Sequence, residues 1–297
     1  MDSVNKRTVC CSIIAGGLIL GLWTCIGHFH RYSIEDQRTS WNDGVNSYFF
    51  IDKPEDTFSH EYYEKTHSVK SAVEFIKLRY NPSTDLERLE AAYDFTRKRF
   101  KHFMYPHHTL LTNPYLWLGE QIFPARPINA MFLADMNLRH SAVGACGNAT
   151  VTFVEIFRAM GGKAQFATYP AHIVAEADID GKKYLVDADL EALVPHSLNA
   201  VYHQPELIVP HYKHKTSEEI ETFMQVFGTE FIESGYDAPP AYRGGVYRFM
   251  QFVEWFKWVL PGALVLIGLS GLFSKRSHLI RGIFCSRKLH SDATYGA

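Results

Sequence analysis

The chain has 297 residues, about twice the size of an ordinary domain, and 46% of them are apolar and 21% charged. This composition excludes wholesale disorder. A net charge of −2 gives no electrostatic basis for binding nucleic acid or acidic substrates, so we expect one or two folded domains and no nucleic-acid partner.

Both ends of the chain carry apolar segments. Residues 9–26 read VCCSIIAGGLILGLWTCI and hold no charge, which suits a bilayer-crossing helix. Residues 258–273 read WVLPGALVLIGLSGLF and follow a group of aromatic residues, as at a membrane interface. We predict a transmembrane anchor over residues 1–28 and a second span over residues 255–274. A cleaved signal peptide for the first segment and a buried core helix for the second are the alternatives.

Basic residues beside the spans predict the orientation of the chain. Lys6 and Arg7 precede the first span, and residues 275–297 form a basic tail after the second. The basic residues of this tail are Lys275, Arg276, Arg281, Arg287 and Lys288. Because such residues concentrate on the cytoplasmic side, we expect both termini in the cytoplasm and the intervening residues outside it, at the plasma (inner) membrane.

The first half of the extracytoplasmic part is predicted to be a linker followed by helices. Residues 29–84 combine a polar linker with a helix, which the apolar spacing between residues 60 and 80 indicates. The Asn-Pro-Ser-Thr sequence at residues 81–84 ends that helix and begins a second one. Residues 103–137 are rich in Pro, His and Asn and are predicted to be mostly loop, with a short helical turn at residues 115–118.

A buried helix and a small sheet are predicted next. The helix covers residues 146–160, where apolar residues occupy most faces, and Gly161-Gly162 ends it. Three strands follow, over residues 163–169, 171–179 and 182–188. The last two are joined by Asp180-Gly181, a strong hairpin signal. Residues 196–254 form a C-terminal extension of the extracytoplasmic domain, with one helix predicted over residues 217–232.

Cys146 is the first candidate for chemistry, because it is the one cysteine of the predicted extracytoplasmic part. It lies between small residues at the start of a predicted helix. The positive end of a helix dipole favours the thiolate, which is the nucleophilic form, and the first-turn N–H groups can stabilise an oxyanion. The alternative is an inert buried cysteine.

His172 and two aspartates complete a possible catalytic set. His172 begins a strand that packs on the Cys146 helix, and imidazole beside a thiol is the usual activating pair. If Asp180-Gly181 is a two-residue turn, His172 pairs with Asp189 and has Asp187 one diagonal step away, on the same face. Either carboxylate could orient the imidazole, and a solvated strand face is the alternative.

Two sequence blocks resemble the transglutaminase-like superfamily. The block GACGNATVTFVEIFRAMGGKA at residues 144–164 is similar to its Gly-x-Cys helix, and AHIVAEADIDGKKYLVDAD at residues 171–189 is similar to its histidine block. In the second block a His begins a strand, a Glu follows four residues later (Glu176 here), and an Asp ends the return strand. Residues 85–103 resemble the helix that precedes this core. The core with its flanking segment therefore extends over residues 85–195.

The resemblance implies an α+β fold with a papain-like core, in which a buried Cys helix packs on an antiparallel sheet. It assigns the nucleophile to Cys146, the base to His172 and the orienting acid to Asp187, with Asp189 and Glu176 as supporting residues. Tyr184 and Ala188 stand where the family usually has Trp and Pro. The Asp-x-Asp after the hairpin resembles membrane-anchored bacterial members linked to cell-surface polymers.

The remaining histidines give no metal-ligand pattern. The sequence places them at His107, His108, His196, His203, His211 and His214. No pair lies on a predicted helix at ligand spacing near a carboxylate, so we expect no metal and no cofactor.

We expect acyl transfer through a thioester on Cys146, by amide hydrolysis or transamidation, on a peptide, protein or cell-surface polymer outside the cytoplasm. One alternative is a catalytically inactive binding or assembly module of the same fold, for example in cell-surface polymer machinery. Another is arylamine acetyl transfer, which uses the same triad. It is disfavoured because the Arg-Gly-Gly-x-Cys sequence of that family is absent.

Overall fold

The computed structural model describes residues 3–32, 57–102, 108–122, 133–170, 172–213, 215–239 and 244–289. These residues form helices, a five-stranded antiparallel sheet and one short parallel pair of strands, which confirms the coarse α+β class. The helices are α1 (Ser3–Phe29), α2 (His60–Lys65), α3 (Val69–Tyr80), α4 (Asp85–Arg99), α5 (Pro114–Ile122), α6 (Ala134–His140), α7 (Cys146–Ala159), α8 (Leu198–His203), α9 (Ser217–Phe227) and α10 (Gly244–Leu289). The strands are β1 (Lys101–His102), β2 (Val143–Gly144), β3 (Lys163–Thr168), β4 (Ile173–Ile179), β5 (Lys182–Asp187), β6 (Ala192–Val194) and β7 (Ile232–Glu233).

The main sheet is antiparallel, with the strand order β6-β5-β4-β3-β7. Its central hairpin has the predicted register, because Ile179 pairs with Lys182. Asp180 (φ 54°) and Gly181 (φ 83°) both adopt positive φ, which a two-residue turn of this kind requires. The Asp-Gly signal therefore identified the turn correctly.

The sheet is buried on both faces. Ala175 and Ala177 of β4 belong to an apolar cluster with Phe153 and Phe157 of α7, and α3 and α4 add to the same cluster. Val174, on the opposite face of β4, belongs to a second cluster that includes residues of α8 and α9. The predicted packing of the Cys146 helix against the sheet is thus observed, and the C-terminal extension covers the other face.

Local sequence signals explain where several helices begin. Thr84 accepts a hydrogen bond from the N–H of Glu87 (3.1 Å), whose carboxylate accepts one from the N–H of Thr84 (3.0 Å), so α4 begins with a capping box. Ser68 caps α3 in the same way. That second cap is why residues 60–80 form two helices, α2 and α3, rather than the single predicted one.

Two predicted boundaries were wrong. In the stretch 103–137 the helical turn expected at residues 115–118 is the longer helix α5, and α6 begins at Ala134, where loop was expected; residues 103–107 and 123–132 lie outside the described residues. The helix predicted over residues 217–232 ends at Phe227, and Ile232 instead belongs to β7, which pairs with β3. Pairing with a sheet edge overrides the apolar spacing that had suggested a longer helix.

The two apolar segments form long helices. Asn5–Phe29 within α1 and Gly245–Phe273 within α10 are long and apolar enough to cross a membrane. A Cβ atom at Gly17 of α1 would lie 2.9 Å from the carbonyl oxygen of Pro261 in α10, so the missing side chain permits close packing of these two helices. The helix α10 continues to Leu289, and residues 290–297 of the predicted tail lie outside the described residues.

The chain divides into two compact units. One contains Met1–His28 and Val253–Ala297 with the short segment Leu111–Asn113, and therefore most of both apolar helices. The other contains Phe29–Leu110 and Pro114–Phe252, which includes the whole sheet and every candidate site residue.

Candidate active site

Cys146 is the first residue of α7 and is partly exposed, whereas most of the rest of the helix is buried. The side-chain oxygen of Asn148 accepts a hydrogen bond from the N–H of Ala145 (3.2 Å), and its amide nitrogen donates to Asn137 (3.0 Å). These contacts fix the first turn, so the thiol is presented at a well-defined helix N-terminus.

His172 and Asp187 form a short buried hydrogen bond. The Nε2 atom of His172 lies 2.6 Å from Oδ2 of Asp187, and the side chains are 6% and 0% exposed. His172 immediately precedes β4, and Asp187 is the last residue of β5. The hairpin register therefore brings the two side chains to the same end and face of the sheet.

The imidazole of His172 also interacts with Cys146. Burial by itself disfavours the charged imidazole, but the Asp187 carboxylate, together with a hydrogen bond and charge interaction with Cys146, raises the pKa of His172 well above its ordinary value. Since Asp187 holds Nε2, the ring nitrogen that remains for the thiol is Nδ1. The geometry is that of a thiol and an imidazolium oriented by a carboxylate.

Asp187 is satisfied by further donors. The hydroxyl of Tyr212 donates to Oδ2 (2.8 Å), and the N–H of Leu190 donates to Oδ1 (3.0 Å). A carboxylate with no exposed surface is stable only when such donors compensate for its lost hydration. Burial first, and then the negative charge of Asp187, raises the pKa of Tyr212 well above its ordinary value, so its hydroxyl stays protonated and can donate.

Aromatic side chains of α9 lie beside the imidazole. The ring centroids of Phe223 and Phe227 are 6.2 Å and 6.1 Å from that of His172. Tyr212 in turn stacks on Phe223, with centroids 5.3 Å apart. The histidine is therefore enclosed by apolar rings, while Cys146 retains an exposed surface through which a substrate can approach.

Asp189 does not pair with His172, as counting along the hairpin from the two-residue turn had suggested. The β4–β5 ladder stops at the Ala175–Val186 pair, and Asp187 instead pairs with Ala192 of β6. Asp189 consequently lies in the tight turn between β5 and β6, where it is buried. The β4–β5 ladder therefore ends before it reaches His172 and Asp189, and these two residues are not a cross-strand pair.

Glu176 belongs to a separate buried network on the same sheet. Its Oε1 atom accepts hydrogen bonds from Tyr236 (2.7 Å), Lys183 (2.9 Å) and Gln165 (3.1 Å). Its Oε2 atom accepts from the N–H of Leu198 (2.8 Å). The structure thus brings Cys146, His172 and Asp187 together and directs the Glu176 carboxylate to other partners.

The described residues contain no group of three or more His, Cys, Asp or Glu side chains that could hold a metal ion. His107 and His214 lie outside the described part of the chain. The site itself offers a thiol, an imidazole and a carboxylate, a combination suited to nucleophilic attack on an acyl carbon.

Sequence reasoning missed Tyr212, Phe223 and Phe227 as parts of the site. The apolar spacing of residues 217–232 did identify the two phenylalanines as one helix face, but gave no partner for it. Tyr212 lies 25 residues from Asp187 in a stretch without periodicity. Its one sequence signal is an aromatic residue in a polar, histidine-rich loop.

Comparison with known proteins provides no relative: no family profile, no curated protein and no solved structure matches the chain.

Proposed function

We propose that the chain is a membrane-anchored cysteine acyl-transfer enzyme with a papain-like core of the transglutaminase-like kind. Cys146 is the nucleophile, His172 its base and Asp187 the orienting acid. One observation carries the proposal: a buried imidazole interacts with the thiol at the start of α7 and lies 2.6 Å from a buried carboxylate. A binding module has no need of such an arrangement.

Acyl transfer begins with attack of the Cys146 sulfur on the carbonyl carbon of an amide or ester. The proton that the thiol has given up resides on His172, whose charged form Asp187 stabilises. His172 then gives this proton to the departing nitrogen or oxygen as the bond to the acyl carbon breaks. A thioester on Cys146 and a free amine or alcohol result.

The thioester is resolved by a second nucleophile. Neutral His172 takes a proton from water or from an acceptor amine, which attacks the acyl carbon and releases the Cys146 thiolate. Water gives hydrolysis and an amine gives transamidation. In both halves the developing oxyanion lies near the first-turn N–H groups of α7, which are suited to stabilise it.

The proposed substrate is a peptide, a protein or a cell-surface polymer, and the proposed partner is the lipid bilayer. Support for the membrane location comes from the two long apolar helices and from the basic residues beside them. On this proposal both termini are cytoplasmic and the catalytic unit lies outside the cytoplasm. Reporter fusions after Pro210 and after Tyr295 are expected on opposite sides of the membrane; the same side for both would contradict this topology.

Alkylation of Cys146 tests the nucleophile. The full chain, in detergent, is treated with iodoacetamide at about pH 6 and about pH 9, below and above the titration of an ordinary thiol. Peptide mass spectrometry then gives the rate at Cys146 separately from the other cysteines. We expect appreciable alkylation at the lower pH in the wild type and its loss in His172→Ala, because the imidazolium maintains the thiolate.

Equal rates in the wild type and His172→Ala at the lower pH would contradict the proposal. That outcome would favour the inactive binding or assembly module. Cys25 is a matched control within the same sample, because it lies in α1 and its alkylation should not depend on His172.

A further inference from the structure

We infer that Tyr212 is a positioning residue of this site, and that the C-terminal extension is thereby a part of the catalytic machinery. The inference rests on the proposed function, since it concerns the same Cys146–His172–Asp187 set. Tyr212 lies beyond residue 195, where the family resemblance ends. Its role is to hold the Asp187 carboxylate in the position from which that carboxylate orients His172.

The hydrogen bonds at Asp187 define this role. Oδ2 accepts from both Nε2 of His172 (2.6 Å) and the hydroxyl of Tyr212 (2.8 Å), while Oδ1 accepts from the N–H of Leu190 (3.0 Å). Without Tyr212 the remaining donors would be the N–H of Leu190 and His172 itself, which is the group that the carboxylate has to orient. The second donor on Oδ2 fixes the oxygen that contacts the imidazole.

Tyr212 is itself held rigidly, as a positioning group must be. Its side chain is 1% exposed and stacks on Phe223 at an interplanar angle of 28°. Phe223 and Phe227 also flank the ring of His172. The aromatic rings of α9 therefore pack against both the imidazole of His172 and the ring of Tyr212, which restrains the carboxylate of Asp187.

The charge of Asp187 explains why a tyrosine serves here. The carboxylate has no exposed surface, and a hydroxyl that remains protonated donates to it without adding a second titrating cation. His172 is then the cationic group in direct contact with Asp187, so the negative charge acts on the imidazole. A lysine at position 212 would neutralise that charge and weaken its effect on His172.

The test substitutes Tyr212→Phe in the full chain and measures the ratio of the Cys146 alkylation rates at about pH 6 and about pH 9. Phe keeps the stacked ring and removes only the donor. We expect the ratio to fall by about tenfold or more, the equilibrium equivalent of one hydrogen bond to a charged group. A residue with a purely packing role would leave the ratio unchanged.

Tyr169→Phe is the matched control. Tyr169 is buried like Tyr212, and its ring centroid lies 5.0 Å from that of Phe227, which also flanks His172. Its hydroxyl has no hydrogen-bond partner among the described residues. We expect the wild-type ratio in this variant. A fall as large as that in Tyr212→Phe would show that the loss of any buried hydroxyl from this cluster perturbs the site, and would overturn the inference.

A double substitution keeps the test decisive if Tyr212→Phe alone does not fold. Asp187→Asn with Tyr212→Phe removes the buried charge together with its donor, so no unpaired carboxylate remains. Because Tyr212 is inferred to act through Asp187, the double variant should match Asp187→Asn alone. A further fall in the double variant would contradict the inference.

The failures of the two proposals are distinguishable. If the wild type and His172→Ala have the same ratio, the proposed function fails. If those two differ but Tyr212→Phe matches the wild type, the acyl-transfer proposal stands and only the role of Tyr212 is refuted.

Discussion

Asp187 and Glu176 are both fully buried carboxylates of the β4–β5 hairpin, but their surroundings differ. Glu176 accepts four hydrogen bonds, and one of its donors is the ammonium of Lys183, which reaches the surface. Asp187 accepts three, and its one titrating cationic donor is His172, which also interacts with Cys146. One carboxylate is neutralised by a lysine, whereas the other acts on an imidazole.

This difference separates structural from chemical use of the same residue type. The charge of Glu176 is compensated within a hydrogen-bond network that connects β3, β5 and the start of α8. The charge of Asp187 instead favours the protonated form of His172, which interacts with the proposed nucleophile Cys146. Identical isosteric changes at the two positions should therefore affect different properties, one stability and the other reactivity.

The largest expected effect is that of Asp187→Asn on acyl transfer. An amide cannot stabilise the imidazolium and can hold the wrong tautomer of His172, so we expect a loss on the order of 10³- to 10⁴-fold. The measurement is the rate of Cys146 acylation by an activated ester in the full chain. Glu176→Gln is the matched control, and a comparable loss in that variant would erase the distinction between the two carboxylates.

Glu176→Gln should instead lower the stability. The new NH₂ group would face a hydrogen-bond donor, because every partner of Glu176 donates to it, and the ion pair with Lys183 is lost. We therefore expect a decrease of about 2–4 kcal/mol in the free energy of unfolding. Chemical denaturation of the full chain followed by circular dichroism measures it. A stability equal to that of the wild type would mean that the Glu176 network is dispensable.

Glu155 on α7 sharpens the comparison, because it is largely shielded from solvent but has weaker compensation than the other two carboxylates. Burial raises the pKa of Glu155 to about 7 despite a hydrogen bond from Tyr247 (2.9 Å). Between about pH 4.5 and about pH 7 the folded chain keeps a proton that the unfolded chain has lost, so the free energy of unfolding should fall as the pH rises, by on the order of 3 kcal/mol.

Glu155→Gln should remove this pH dependence, because the amide imitates the protonated acid. Thermal unfolding at several pH values would measure it, with the wild type as reference. A wild-type stability that rises through this pH range, with the same slope in the variant, would contradict the assignment to Glu155.

The smallest expected effect on acyl transfer is that of Asp189→Asn. Asp189 lies in the turn after β5, so its charge does not orient the imidazole through the hairpin ladder. We expect a far smaller loss of acylation rate than in Asp187→Asn. If Asp189→Asn proved the more damaging change, the working carboxylate would be Asp189.

Local signals made the hairpin and the Cys146 helix predictable. Asp180-Gly181 encodes its own turn, and the apolar faces of residues 146–160 leave burial against a sheet as the stable arrangement. The choice between Asp187 and Asp189 was harder, because counting along a ladder assumes that the ladder continues. The β4–β5 ladder ends before these residues. The family pattern, together with the position of Asp187 directly after Val186 in an apolar strand where a charge needs a partner, favoured the residue that contacts His172.

Tyr212 could not be predicted, because its contact joins an irregular segment to a strand end. The helix α5 was predicted only as a short turn and α6 was missed for a related reason: Pro and Asn are frequent around them and outweighed short apolar stretches. Residues in segments without periodicity are positioned by tertiary packing, here by stacking on Phe223.

Formation of an acyl-enzyme tests the central claim most directly. The purified full chain is mixed with p-nitrophenyl acetate near neutral pH, and release of p-nitrophenolate is followed together with the mass of the Cys146 peptide. The account predicts a burst in proportion to the protein and an acetyl group on Cys146, both strongly reduced in His172→Ala. Acetylation of Cys146 at the same slow rate in the wild type and in His172→Ala would contradict it.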